Sequence, residues 1–178
     1  MPGRSIVEAW GSSAIERDAA YPCDGLIERP DLVLFRAIDV AAQPSLVYRW
    51  LCQLRVAPYS YDLIDNRGRR SPRSLTPGLD SLEVGQRFMI FRLVSFEEGS
   101  SITLDSVTRL FGRVVMTYRV LPAPNRASRL VAKLTVAVPP GPLGLVNRYL
   151  LPAGDLIMMR KQLRTLKELA ERDARLRR

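Results

Sequence analysis

The chain has 178 residues, of which 47% are hydrophobic and 25% are charged; these proportions are typical of one folded domain and exclude global disorder. It carries 27 Lys and Arg against 18 Asp and Glu, so its formal net charge is +9. The sequence contains no histidine, which excludes the common hydrolase triads and most zinc and non-haem iron sites. We expect neither a metal nor a cofactor.

The N-terminal sequence MPGRSIVEAWGSSAIERD lacks the apolar segment of a secretory signal peptide, and no apolar stretch is long enough to span a bilayer. We therefore expect a soluble, cytoplasmic protein. Cys23 and Cys52 are the two cysteines and lie in unlike contexts. Two free thiols in a reducing compartment are the favoured interpretation, and a single disulfide is the alternative.

In chain order, residues 1–30 show little periodicity and are interpreted as an N-terminal extension packed on a domain that spans 31–178. DLVLFRAIDV predicts the first strand. Pro44 then begins a predicted helix over residues 44–55. Prolines and glycines make residues 56–85 mostly loop, with a short strand at SYDLID.

From Gln86 onward the apolar residues alternate with a period of two, which is typical of strands. The four predicted strands are RFMIFRLVSF, SITLDSVT, VVMTYRVL and SRLVAKLTVAV. Their short connections predict an antiparallel meander. Met116 and Tyr118 lie on the predicted inner face, whereas Asp105 is expected to point outward.

A long amphipathic helix closes the chain. Its apolar residues recur at three- and four-residue steps: Leu156, Met159, Leu163, Leu166 and Ala170. Asp155, which follows Gly154, is interpreted as the N-cap of this helix. Pro152 and Gly154 are expected to separate the helix from an apolar turn around LGLVNRYLL.

This order of elements resembles the START-like, or Bet v 1-like, helix-grip superfamily, which includes polyketide cyclase/dehydrase and lipid-transport proteins. The residues that carry the resemblance are FRAIDVAAQPSLVYRWLCQL, GQRFMIFRLVSFEEGSSITL and DLIMMRKQLRTLKELAE. YPCD, RVAPYSYDLIDNRGRRSPR and LLPAGDLIMMRKQL look like a bacterial branch of it. The resemblance implies an α+β fold in which a curved antiparallel sheet wraps around a long C-terminal helix. It also implies a cavity between sheet and helix for a hydrophobic, lipid-like or polyketide-like ligand.

Several side chains on predicted inward faces are candidates for lining that cavity. They are Trp50, Phe88, Met116, Tyr118 and Met159. In a filled core these residues only pack, whereas in a hollow sheet they contact the ligand.

Polar side chains supply the remaining candidates. Tyr59, Tyr61 and Asp62 either orient a polar head group at the cavity mouth or stabilise a loop. Arg92 either binds a carboxylate or enolate, or extends to solvent. Both faces of the strand over residues 87–96 are apolar, so its inward face is not assigned.

Basic residues cluster in RGRRSPR and in the C-terminal helix; those of RGRRSPR are Arg67, Arg69, Arg70 and Arg73. A solvated rim is the default interpretation, and weak contact with an anionic membrane is the alternative. The segment lacks interleaved aromatic residues, so we expect no specific nucleic-acid partner.

Three functions follow from these observations. The leading one is binding or transport of a hydrophobic small molecule by a monomer or homodimer. The second is aromatase/cyclase-like chemistry on a polyketide or related carbonyl compound, with proton transfer steered by Tyr61, Asp62, Tyr118 or Arg92. The third is an interaction protein for an anionic membrane surface or an acidic partner.

Overall fold

The computed structural model describes residues 5–61 and 70–177. In chain order the elements are β1 (Ala9–Trp10), α1 (Ala14–Asp18), β2 (Leu32–Val40), α2 (Pro44–Cys52), β3 (Arg87–Phe88), β4 (Phe91–Glu97), β5 (Ser101–Thr108), β6 (Gly112–Ala123), β7 (Ala127–Ala137) and α3 (Pro142–Leu176). Within the described residues the strands form one curved sheet in the order β1-β2-β7-β6-β5-β4-β3. All neighbours pair antiparallel except β1, which runs parallel to β2. The predicted sheet with a long C-terminal helix is confirmed.

The first predicted helix is confirmed as α2 followed by a 3-10 turn at Gln53–Arg55. Pro44 occupies its first turn, where a missing N–H is harmless. The apolar residues repeat at helical spacing and become buried, with Trp50 fully so. The Trp50 indole also donates to Asp173 Oδ2 of α3 at 3.2 Å, which joins the two helices.

The alternation predicted for the later strands is also confirmed. Met116, Tyr118 and Val120 of β6 join the main core on the inner face, the face that contacts α3. Asp105 lies on the opposite, outer face of β5 from Leu104, where it pairs with Arg113 at 2.8 Å.

The prediction of a single strand over 87–96 is wrong, because the chain reverses at Met89 and Ile90. Met89 adopts φ 55°, and the flanking residues Phe88 and Phe91 pair across the turn. After the reversal, the side chains of β4 alternate independently of those of β3. Leu93 is buried and Arg92 is exposed. A continuous apolar run conceals such a turn, since it contains neither glycine nor proline.

The prediction that the last helix begins at Asp155 is also wrong, since α3 runs unbroken from Pro142 to Leu176. Pro152 lies inside the helix, and tertiary contacts hold the helix on both sides of it. The Asn147 side chain donates to the carbonyl of Leu110 at 2.6 Å, and Met159 packs in the core. Asp155 is therefore a mid-helix residue and caps nothing.

Residues 19–30 cover the outer face of the sheet. Tyr21 and Cys23 are buried against Phe35 of β2 and Val131 of β7, and the Tyr21 and Phe35 rings meet edge to face at 6.0 Å. This cover explains why β7 is buried on both faces along most of its length. Cys23 and Cys52 are both free, as predicted, and both are buried.

Candidate functional site

Two polar side chains lie on the inner face of the sheet, in the same row. Arg36 of β2 and Tyr118 of β6 are both paired in register with Ala132 of the intervening strand β7. Side chains in one row of a sheet point to the same face, so both face α3. The small Ala132 side chain leaves the space between them to groups from the helix.

Asp155 of α3 approaches this row and pairs with Arg36. The distance from Arg36 Nη2 to Asp155 Oδ2 is 2.8 Å, and the Arg36 side chain is completely buried. Arg36 also donates to the carbonyl oxygens of Phe35, Val7 and Pro152, at 2.8, 2.8 and 3.2 Å. The guanidinium thus connects the N-terminal segment, the sheet and α3.

The hydrogen bonding of this ion pair is incomplete. Within residues 5–61 and 70–177, neither Arg36 Nε nor Asp155 Oδ2 has a hydrogen-bond partner of suitable geometry. The Oδ2 contact to Arg36 is therefore short but poorly aligned. Buried polar atoms without partners are uncommon in folded proteins and require a reason.

Burial dominates the electrostatics of the pair. It raises the pKa of Asp155 from an ordinary 3.8 to about 6, and the attraction of Arg36 offsets only part of the rise. Burial likewise lowers the pKa of Arg36, with Asp155 opposing the change. The carboxyl group thus titrates near neutrality, in a range useful for proton transfer.

Tyr118 and Gln162 extend the polar contacts to the other side of the row. The Tyr118 hydroxyl donates to Gln162 Oε1 at 2.5 Å and lies 3.6 Å from the sulfur of Met159. The Gln162 amide in turn donates to the carbonyl of Pro58 at 2.7 Å. Burial, and to a smaller extent the nearby Asp155 carboxylate, raise the pKa of Tyr118, so the phenol stays protonated.

We define Arg36, Tyr118, Asp155 and Gln162 as the inner polar cluster. It lies in an otherwise apolar layer between sheet and helix, and apolar surroundings strengthen every hydrogen bond and charge interaction made there. The cluster offers two donors, a guanidinium and a phenol, together with a carboxyl group.

The apolar candidates from the sequence meet in one core. Trp50, Phe88, Met116 and Met159 all belong to the cluster of buried side chains that fills the layer between the sheet and α3. Each therefore packs in the described structure, so a ligand in this layer requires some of these side chains or α3 to move.

The polar candidates from the sequence do not lie together in the structure. Tyr59 is buried with φ 54° and contacts the Trp50 ring edge to face at 6.0 Å. Tyr61 is 40% exposed, and Arg92 is exposed on the face away from the core. The remaining candidates, Asp62, Arg67 and Arg69, lie outside the described residues, as does most of the predicted strand SYDLID.

Two surface clefts lie elsewhere on the molecule. The larger, about 480 Å³, lies between the start of α3 and the loop before it, with Asp31, Pro139 and Arg148 in its lining. The smaller, about 110 Å³, separates Tyr59 and Arg73 from the second half of α3. The lining of neither includes a member of the inner polar cluster.

Sequence reasoning missed Arg36, Asp155 and Gln162. The signal for Arg36 was its position in the strand. It lies two residues from both Leu34 and Ile38, so its side chain points to the same face of the strand as theirs. The signal for Asp155 was its position four residues before Met159, in line with the apolar stripe. A preceding glycine and a nearby proline made a helix start the more natural interpretation.

No protein-family model matches the chain, and no curated protein matches it in sequence. Solved structures do match. The protein TTHA0849 from Thermus thermophilus is 18% identical, with 80% of this chain and 99% of that chain covered and a TM-score of 0.52. The di-domain aromatase/cyclase StfQ of the steffimycin biosynthetic pathway is 19% identical, with coverage of 83% and 53% and a TM-score of 0.53.

The Zhui aromatase/cyclase from Streptomyces sp. R1128 is 14% identical, with 79% of this chain and 93% of that chain covered and a TM-score of 0.53. The chain has the helix-grip fold. At these identities the likeness establishes the fold, and the helix-grip architecture places α3 over the inner polar cluster.

Proposed function

We propose that this helix-grip protein binds an amphipathic small molecule, with an apolar body and a carboxylate or carbonyl head group, between α3 and the inner face of the sheet. The observation that carries the proposal is Arg36: a completely buried guanidinium whose Nε has no partner among the described residues. A carboxylate or carbonyl oxygen would supply the missing acceptor.

Stability alone is a poor explanation for the buried pair. Replacing a buried ion pair with apolar side chains of similar volume is often neutral or stabilising, so packing does not require Arg36 and Asp155. An incompletely satisfied pair is less favourable still. Binding of a ligand head group that completes the hydrogen bonds of Arg36 and Asp155 would explain why the pair is present.

A ligand can enter only if α3 moves away from the sheet. The first half of α3 can do so most easily, because few of its residues are buried. Between Pro142 and Met158 only Gly144, Asn147 and Pro152 are buried. Met159, beside the Tyr118 hydroxyl, has an unbranched, flexible side chain that adapts to a ligand.

Titration with a fluorescent long-chain fatty acid tests this proposal. Saturable binding is expected, and the methyl ester of the same fatty acid should bind about tenfold more weakly because it lacks the charged head group. The double variant Arg36→Met with Asp155→Leu should lose the preference for the acid, while Arg92→Met, at an exposed arginine, should retain it. Absence of saturable binding, or binding of acid and ester that the double variant leaves unchanged, would contradict the proposal. Equal binding of acid and ester that the double variant loses would identify the carbonyl oxygen as the group that Arg36 recognises.

A second candidate is an aromatase/cyclase-like enzyme, which the inner polar cluster also favours. The Arg36 guanidinium and the Tyr118 hydroxyl face the same layer, and both can stabilise negative charge that develops on a carbonyl oxygen. Asp155, with its raised pKa, can exchange a proton near neutral pH. StfQ and Zhui, both aromatase/cyclases, share the fold.

Mass spectrometry after incubation with a linear polyketide tests the second candidate. Cyclised, dehydrated product is expected, and Tyr118→Phe should reduce its rate of formation by about a hundredfold, the usual contribution of a positioned acid or base. Tyr149→Phe, at a tyrosine that is 82% exposed, serves as the matched control and should leave the rate unchanged. Equal rates for both variants would exclude a chemical role for Tyr118.

A further inference from the structure

The first half of α3 presents apolar side chains to solvent. Leu145, Val146, Tyr149 and Leu150 are 62%, 50%, 82% and 65% exposed. A surface helix normally directs such residues to the core and polar residues outward. Here the sheet contacts only a narrow stripe of the helix, and the opposite face is apolar.

Two turns continue this apolar surface. Val107, Leu110 and Phe111, at the β5–β6 turn, are 75%, 54% and 41% exposed, and Ile90 at the β3–β4 turn is 64% exposed. The hydrogen bond from Asn147 to the Leu110 carbonyl places the β5–β6 turn beside the helix.

The β3–β4 turn is held beside the end of β5, since the Ser106 hydroxyl donates to the Ile90 carbonyl at 3.0 Å. We call the helix face and the two turns together the apolar end. Exposed apolar side chains gathered on neighbouring segments in this way mark an interaction site.

The charges of the same segments are predominantly positive. Residues 84–92, 105–113 and 142–160 contain six arginines: Arg87, Arg92, Arg109, Arg113, Arg148 and Arg160. Asp105 is paired with Arg113, Asp155 with Arg36, and Asp31 with Arg148. Four of the six arginines therefore have no carboxylate partner within the described residues. The segments that form the apolar end therefore carry a net positive charge.

We propose that the apolar end docks on an anionic lipid membrane, with the first half of α3 lying in the plane of the interface. An apolar helix face flanked by arginines matches the acyl boundary and the phosphates of such a surface. A second copy of the chain is a poorer occupant, because a two-fold interface would bring the arginines of both copies together. Within the described residues no helix is long and apolar enough to cross the bilayer, so the contact is superficial.

The apolar end and the proposed ligand site are separate surfaces. The apolar end comprises the outer face of the helix and the two turns, whereas the inner polar cluster lies beneath the helix. Either proposal can fail without the other.

Flotation with phosphatidylcholine vesicles, with and without phosphatidylglycerol, tests the docking. The protein should float with the anionic vesicles, and the double variant Tyr149→Ser with Leu150→Ser should bind at least about tenfold more weakly because it buries less apolar area. Ile15→Ser is the matched control, since Ile15 is 83% exposed on α1, away from the apolar end, and its loss should leave binding unchanged.

The charge requirement is tested separately. Arg92→Glu and Arg109→Glu should each weaken binding about fivefold at low salt, and added salt should weaken binding by the wild type. Arg126→Glu is the control at the β6–β7 turn, at the other end of the sheet. Tyr149→Trp should shift its fluorescence to the blue on anionic vesicles, which reports insertion of that face.

Several results would overturn the proposal. They are a failure to bind anionic vesicles, equal binding to neutral vesicles, and a loss of binding on Arg70→Glu and Arg73→Glu with none on the apolar variants. A dimer in solution that dissociates on Tyr149→Ser with Leu150→Ser would instead assign the apolar end to a second copy of the chain.

Discussion

Replacing Arg36 with methionine is expected to lower the free energy of unfolding by about 3–5 kcal/mol at pH 7, measured by chemical denaturation. The substitution preserves the apolar stem but removes the charge that accompanies the mostly buried Asp155 side chain at 2.8 Å. It also leaves the carbonyls of Val7 and Pro152 without their guanidinium donor. Most of the loss arises from a carboxylate left uncompensated in an apolar layer.

The double variant Arg36→Met with Asp155→Leu is the control for that interpretation. With both charges removed, the free energy of unfolding should return to the wild-type value or exceed it. If the double variant were as unstable as the single one, Arg36 would contribute through shape or through its bonds to the carbonyls, and the pair would not be the cause.

The pH dependence of stability follows from the same pair. The folded pKa of Asp155, about 6, lies above its ordinary value of 3.8, so the folded state binds the extra proton. The stability contributed by that proton is present below pH 4 and is lost as the pH rises through 6. Relative to Asp155→Asn, the wild type should therefore lose about 2 kcal/mol between pH 4 and 7. The destabilisation caused by Arg36→Met should likewise shrink at low pH, where Asp155 is neutral.

Gly144→Ala is expected to be the most damaging small substitution in α3. A Cβ at this position would lie 1.9 Å from the carbonyl oxygen of Pro139 and 3.2 Å from the side chain of Val138. The nearer atom belongs to the backbone and cannot rotate away, so either the start of the helix or the loop before it must shift. We expect a loss of about 3 kcal/mol, at the upper end for overpacked sites.

Gly154→Ala is the matched control in the same helix. A Cβ there meets nothing within 4 Å, and alanine has the higher helix propensity, so the variant should be more stable by about 1 kcal/mol. Thermal denaturation of the two variants side by side separates the steric effect from propensity. Equal effects would show that helix propensity alone governs both positions.

The sequence predicted most of the regular elements, because their periodicity is local. The strands with clear alternation and the helix that begins at Pro44 were correct for that reason. The hairpin at Met89 was missed, because its turn residues, Met89 and Ile90, are both apolar and neither is a usual turn residue. Local turn signals therefore did not report the reversal.

The inner polar cluster was largely missed for a related reason. Only Tyr118 was singled out, because its strand alternates clearly and the phenol is an obvious candidate. Arg36 and Asp155 are far apart in the sequence, and each has an ordinary local explanation. Their role as a pair depends on the contact between the sheet and α3, and no short sequence pattern predicts that contact.

Strand order has a consequence for how the chain acquires its structure. β2 pairs with β7, so Leu32 must meet Val136, and the outer cover joins Tyr21 to Val131. Contacts between residues this distant in sequence form late, because a long loop must close first. During synthesis the N-terminal segment and β2 remain without their sheet partner until β7 leaves the ribosome. An emerging chain must therefore keep the apolar side chains of β2 from aggregating until its last third has been made.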